Sequence, residues 1–201
     1  GGVLATNGIR AQDVDRVRIE SCTVDGAALQ GIVVKRASRS WLRNNRVTSS
    51  GEWGIHVDNG DPPAPATTGG QIVAFNTVVG SGRLAGTGGI RFQNATGEIR
   101  DNVLADNASS GIRTDQSTTV VHHNLVARSA TAFDRVGGSV APLWANLVAD
   151  PLFTDAGLLD EADEGFGRAV EDGDLGTVEL DADVVDAEAV ERGEQVFDRA
   201  D

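Results

Sequence analysis

Gly89-Ile90-Arg91-Phe92-Gln93 and Gly111-Ile112-Arg113-Thr114-Asp115 stand 22 residues apart, and so do Ile99-Arg100-Asp101-Asn102-Val103-Leu104 and Val121-His122-His123-Asn124-Leu125-Val126. Each unit therefore carries a Gly-Ile mark and, 13 residues later, an Asn set in apolar sequence. Working toward the N-terminus, the Gly-Ile mark recurs at Gly54-Ile55, Gly31-Ile32 and Gly8-Ile9, with spacings of 35, 23 and 23. The Asn mark recurs at Asn45 and Asn76 and continues to Asn146, and Cys22 holds the same phase in Ile19-Glu20-Ser21-Cys22-Thr23-Val24. Two marks locked in phase at a period of this size are the sign of a repeat architecture.

A unit of 22 or 23 residues has room for three short strands. One begins at Gly-Ile, a second ends just before the Asn, and a third follows with a Val or Leu two residues on: Val24, Val47, Val78, Leu104, Val126 and Val148. Branched aliphatic side chains suit the pleated surface of such strands. Asn tolerates the left-handed backbone of a sharp bend, which places Asn45, Asn76, Asn102, Asn124 and Asn146 at a corner. There their amides would stack into a ladder from coil to coil. The Leu-x-x-Leu-x-Leu frame of leucine-rich repeats is lacking. The expected fold is all-β, a single-stranded parallel β-helix (solenoid) of about 5–6 coils across residues 1–153, each coil buried only against its neighbours.

Composition agrees with regular layers of small aliphatic residues. Among 201 residues there are 25 Gly, 3 Trp and 6 Phe, with neither Met nor Tyr. The lone Cys22 excludes an intrachain disulfide and a Cys-based zinc site. It reads as a small packed residue. No apolar run is long enough for a transmembrane helix. Residues 1–20 lack a basic start followed by an apolar stretch, so no signal peptide is read there. The opening Gly1-Gly2-Val3-Leu4 reads as the middle of a coil, as in a piece of a longer protein. The net charge of −13 is an average of unlike parts. Residues 1–153 hold 13 acidic and 14 basic side chains, whereas residues 154–201 hold 17 and 3. The acidity belongs to the tail, which would repel phosphate, so no nucleic-acid partner is expected.

The phased Gly-Ile and Asn marks, with Ala149-Asp150-Pro151-Leu152-Phe153 after the last of them, resemble the right-handed parallel β-helix repeat proteins of the pectate-lyase-like superfamily. Many secreted members of that group close their last coil with a similar Asp-Pro-Leu-Phe. The resemblance implies a right-handed coil and a secreted or cell-surface location. It says little about activity, because one fold hosts many.

Two stretches break the period. Residues 59–70, with three prolines among Gly and Thr, read as an extruded loop, and residues 80–88 form a smaller one. Both would wall the face of the Gly-Ile strands. In those strands Ile9, Ile32, Ile55, Ile90 and Ile112 should point inward with Ala11, Val34, Val57, Phe92 and Thr114. The intervening columns, Arg10, Val33, His56, Arg91, Arg113 and Gln12, Lys35, Asp58, Gln93, Asp115, should face solvent. By the resemblance, this face could hold a polysaccharide. His56, Arg91 and Arg113 would form a catalytic set, with His56 as base and the arginines on uronate carboxylates. Trp53, Asp58, Gln93 and Asp115 would contact substrate, Trp53 as a sugar-stacking platform. Asp58, Asp61 and Asp115 would be ligands for Ca²⁺. A full lyase set cannot be matched residue by residue, and a ladder of alternating charge that merely keeps the surface soluble accounts for the same residues. His122 should point outward on the strand before Asn124 and His123 should sit at the bend, and the pair is a poor metal site on this reading, since neighbours on a strand diverge.

In residues 154–201 both marks vanish. Asp172-Gly173-Asp174 lacks the remaining ligands of a calcium loop, and Asp186 to Phe197 reads as a short helix in an otherwise irregular acidic cap or linker. Its Val190-Glu191-Arg192-Gly193-Glu194-Gln195-Val196-Phe197 also resembles the opening helix of c-type cytochrome domains, but no Cys-x-x-Cys-His follows. Two functions are consistent with the sequence: a carbohydrate-directed module, binding or degenerate lyase-like, and a structural or adhesive spacer.

Overall fold

The computed structural model describes residues 6–60 and 70–150. They wind through six coils of three strands. The first strand of each coil is β1 (Ile9–Gln12), β4 (Ile32–Lys35), β7 (Ile55–Asp58), β10 (Ile90–Gln93), β13 (Ser110–Asp115) or β16 (Thr131–Val136). The second is β2 (Arg16–Glu20), β5 (Arg39–Arg43), β8 (Gln71–Ala74), β11 (Thr96–Arg100), β14 (Thr118–His122) or β17 (Leu143–Trp144). The third is β3 (Thr23–Asp25), β6 (Arg46–Thr48), β9 (Thr77–Val79), β12 (Val103–Ala105), β15 (Leu125–Ala127) or β18 (Leu147–Val148). Each set forms one parallel six-stranded sheet, here sheets A, B and C. Ile9, Ile32, Ile55, Ile90 and Ile112 are register partners along sheet A, as the repeat predicts, and Phe133 continues the file.

The Gly of the Gly-Ile mark has a steric cause. A Cβ on Gly31 would stand 2.3 Å from Val47 Cγ1, and one on Gly111 2.3 Å from Val126 Cγ1. The Val of the third strand fills the space a side chain would need. The sixth coil has Ala132-Phe133 at this position, and there the corresponding Val148 is exposed. With the Val unpacked, Gly is not required, which is why the last coil carries no visible mark.

The Asn file forms, at the corner between sheets B and C. Asn45, Asn76, Asn102 and Asn124 each donate through Nδ2 to Oδ1 of the next Asn at 2.9 Å, ending at Asn146. The same amides donate to backbone carbonyls one coil back: Ile19, Leu42, Val73 and Ile99. Cys22 begins the file by donating its backbone N–H to Asn45 Oδ1. One detail of the expectation is corrected. The left-handed residue is the one before each ladder position, namely Ser21, Asn44, Phe75, Asp101, His123 and Ala145, with φ between 50° and 57°. The ladder Asn is selected because a buried amide can satisfy coil-to-coil hydrogen bonds, and its neighbour makes the bend.

Inside, Val34, Val57, Phe92 and Thr114 lie beside the isoleucines, facing Leu42, Val73, Ile99 and Val121 from sheet B and Val47, Val78, Leu104 and Val126 from sheet C. Among the described residues no helix is long and apolar enough to cross a membrane. The predicted boundary after Phe153, the tail helix and most of the Pro-rich loop lie outside the described residues.

Candidate functional site

On the outer side of sheet A the structure brings together the expected residues in the expected register. Arg91 has His56 and Arg113 as its partners on the two adjacent strands, and Gln93 has Asp58 and Asp115. Their surroundings differ from the expectation. Val33 and His56 do not face solvent, and His56 is only 5% exposed. Neither ring nitrogen of His56 has a hydrogen-bond partner, and the nearby Gln93 amide approaches without completing one. Burial foremost, and then the charge of Arg91, hold the His56 pKa down to about 4, against the pull of Asp58. The ring is therefore neutral and shut away at neutral pH. It cannot reach a substrate from this position, so the catalytic role expected of it is not supported by the geometry.

Trp53 is likewise buried, at 2% exposure, beneath the guanidinium of Arg91, 5.7 Å from its ring centre. It offers no stacking platform. Arg91 Nη2 donates to Asp115 Oδ2 at 2.7 Å, Arg113 reaches Asp134 at 3.6 Å, and Lys35 reaches Asp58 at 3.4 Å. The Nε atoms of Arg91 and Arg113 lack partners. Asp58 and Asp115 are separated by the intervening strand β10, two rungs of about 4.8 Å each. Asp58 is turned to Lys35 and Asp115 to Arg91, so the two carboxylates are not brought together around one ion. Asp61 lies outside the described residues, and no group of three or more His, Cys, Asp or Glu among the described residues is arranged to hold a metal.

Sheet B presents a different surface, which the sequence reading passed over. Its two outward columns run Arg18, Trp41, Ile72, Glu98, Val120 and Glu20, Arg43, Ala74, Arg100, His122, Trp144. Trp41 is 45% exposed, Trp144 50%, and Phe75 on the adjoining corner 53%. Each ring is backed by a polar partner. Arg18 lies 5.2 Å from the Trp41 ring centre, and Arg100 lies 5.1 Å from that of Phe75. His122 stacks on Trp144 at 4.3 Å with the planes 3° apart. A shallow hollow of about 310 Å³ opens beside Phe75, lined by Glu20, Ser21, Arg43 and Asn44. Counting back from the Asn marks would have located this face. The residue two before each Asn points outward, and the residue before it stands on the exposed corner.

His122 ends β14 and His123 sits at the bend, as the sequence implies, but their side chains do not diverge as expected. His123 occupies the left-handed corner with φ 52°, so its side chain does not continue the strand alternation. His122 and His123 hydrogen-bond to each other, Nδ1 to Nδ1 at 2.7 Å, and His122 Nε2 donates to Glu98 Oε1 at 2.6 Å.

Comparison with known proteins matches residues 4–142 to the family described as the right-handed β-helix region. The chain belongs to that family. No curated protein and no solved structure matches this β-helix. The hand of the coil follows from the family, and right-handed crossover is also the rule for parallel strands.

Proposed function

We propose that this right-handed β-helix is a carbohydrate-binding module that takes a polysaccharide across the outward face of sheet B and its adjoining corner. One observation carries the reading: Trp41, Phe75 and Trp144 each expose about half of their surface while an arginine or histidine backs the ring. A ring held in place loses little freedom when a sugar stacks on it, and the neighbouring Arg18, Arg43 and Arg100, each paired with a carboxylate, keep further guanidinium N–H groups for sugar hydroxyls. Such a role would be exercised outside the cytoplasm. Binding is favoured over turnover because the one histidine of sheet A is buried and neutral, and Arg91 is engaged by Asp115.

The test is affinity electrophoresis and calorimetry against polyuronate and neutral glycans, with ultraviolet detection of unsaturated product. Trp41→Ala and Trp144→Ala should each weaken binding several-fold, and Arg91→Ala should leave it unchanged. Loss of binding in Arg91→Ala with full binding in both tryptophan variants would move the site to sheet A. Accumulating unsaturated product would make the protein a lyase.

A second reading, a rigid spacer, draws on the ion pairs of sheet A. Lys35–Asp58, Arg91–Asp115 and Arg113–Asp134 match three of the outward cations with carboxylates. A face so compensated stays soluble without attracting a charged ligand. Absence of binding to every glycan would leave this reading standing.

A further inference from the structure

We propose that the hollow beside Phe75 holds a single neutral pyranose ring and is the subsite that selects the sugar on the sheet B face. The inference rests on the carbohydrate reading of that face and names the class of sugar it takes. The first observation is Phe75 itself, which occupies the left-handed corner of the third coil with φ 57°. The same position in the other coils carries Ser21, Asn44, Asp101, His123 and Ala145. Asn and Asp enter that conformation readily, whereas a bulky aromatic residue is strained there. The Phe75 ring is 53% exposed, so packing in the core does not offset the strain. A strained residue whose side chain stands in solvent points to a role for that side chain outside the fold.

The second observation is the set of polar groups around the ring. Arg100, on the next coil, lies 5.1 Å from the ring centre, while Glu20, Ser21, Arg43 and Asn44 line the hollow from the two preceding coils. The ring is therefore backed on one side and open on the other. At about 310 Å³ the hollow is at the small end of ligand sites, so it suits one ring and not a chain. Its polar atoms are only half used. Glu20 Oε1 accepts from Arg18 at 3.2 Å and lies 3.0 Å from Arg43 Nε. Asn44 Nδ2 donates to Ser21 Oγ at 3.1 Å. Among the described residues, Glu20 Oε2, Asn44 Oδ1 and the Nη groups of Arg43 make no hydrogen bond. Two free acceptors thus stand beside free donors. Hydroxyl groups, which both donate and accept, satisfy such a mixed set. A sugar carboxylate only accepts, and it would meet the charge of Glu20. The apolar face of a pyranose has Phe75 to lie on.

The experiment is an NMR titration of the full chain with the methyl glycosides of glucose, galactose and mannose, set against glucuronate and galacturonate. At least one neutral glycoside should shift the Phe75 ring resonances saturably, and the uronates should bind at least about tenfold more weakly. Phe75→Asn relieves the corner, so it should abolish glycoside binding while melting at or above the native temperature. Glu20→Gln removes the charge and should narrow the gap between neutral and uronate sugars. Neutral glycosides that leave the Phe75 resonances unmoved, or that bind Phe75→Asn undiminished, overturn the subsite. Uronates that bind as tightly as the neutral sugars overturn its selectivity. The sheet B reading is judged separately. Polysaccharide binding that is weakened by Trp41→Ala and Trp144→Ala but unaffected by Phe75→Asn keeps that reading and removes this one. Glycoside binding at Phe75, with full polysaccharide affinity in both tryptophan variants, does the reverse.

Discussion

Among the described residues, the buried asparagine file and the buried His56 are built on opposite terms. At the corner between sheets B and C, Asn76, Asn102 and Asn124 are almost wholly buried, and their side-chain amide atoms are hydrogen-bonded. On the outer side of sheet A, His56 is as deeply placed, and neither of its nitrogens is paired. The file repeats because stacking one amide on the next is self-consistent at the strand spacing, so every added coil satisfies the coil before it. His56 has no such repeat: its partners in register are Val33 and Arg91, which cannot continue an imidazole ladder. The difference teaches that burial of a polar group marks structural necessity only where its hydrogen bonds close. Where they stay open, the group weakens the fold and makes it sensitive to pH.

The sharpest way to break this contrast is Asn102→Leu. It would leave the Asn76 backbone N–H without its acceptor, and it would remove the side-chain donor from the Val73 and Arg100 carbonyls and from Asn124 Oδ1, which keeps only the backbone N–H of residue 102. Each unmet buried group costs roughly 1–3 kcal/mol, so a loss of about 3–5 kcal/mol in urea unfolding is expected. A loss below about 1 kcal/mol would show that the file contributes little beyond its backbone.

The next effect concerns acid. The folded pKa of His56 is lowered to about 4, whereas an unfolded histidine titrates near 6.5. Between those values the unfolded chain binds the extra proton, so stability is full above the upper value and falls as pH drops toward the lower one. The expected loss attributable to His56 is about 2–3 kcal/mol. It is measured as the difference in pH dependence between the native chain and His56→Leu. Parallel curves for the two proteins would show that His56 is solvated after all.

At neutral pH the same His56→Leu variant should be more stable by about 1 kcal/mol, since an apolar side chain leaves no unpaired nitrogen behind. A clear loss of stability would mean that the ring makes contacts beyond its volume. The smallest effect is expected at the surface. Arg36 bonds Asp13 one coil away at 2.5 and 2.7 Å, and these bonds hold the Asp13 carboxyl down to about 2. Both groups lie in solvent, where screening removes most of the gain, so Asp13→Asn should leave the melting temperature unchanged within error.

The coil itself could be read from residues alone. Gly31, Gly54, Gly89 and Gly111 recur because a neighbouring side chain leaves no room for a Cβ, and the Asn series recurs because buried amides must be paired. Such constraints act at every turn, so they leave a period in the chain. The sixth coil escaped because its Val148 is exposed, which relaxes the rule at Ala132. The surface was legible only in part. Alternation assigned His56, Arg91 and Arg113 to one outward column correctly, yet it could not reveal that His56 and Trp53 are covered or that Arg91 is held by Asp115.

Sequence alone thus determined the winding, the register and the inward files, because those depend on neighbours one repeat away and are imposed repeatedly. Only the tertiary structure decided which outward residues meet solvent, which charges neutralise one another, and that His122 and His123 hydrogen-bond to each other. Those outcomes depend on single side-chain rotations and on one left-handed corner at His123, and a feature that occurs once leaves no period to read.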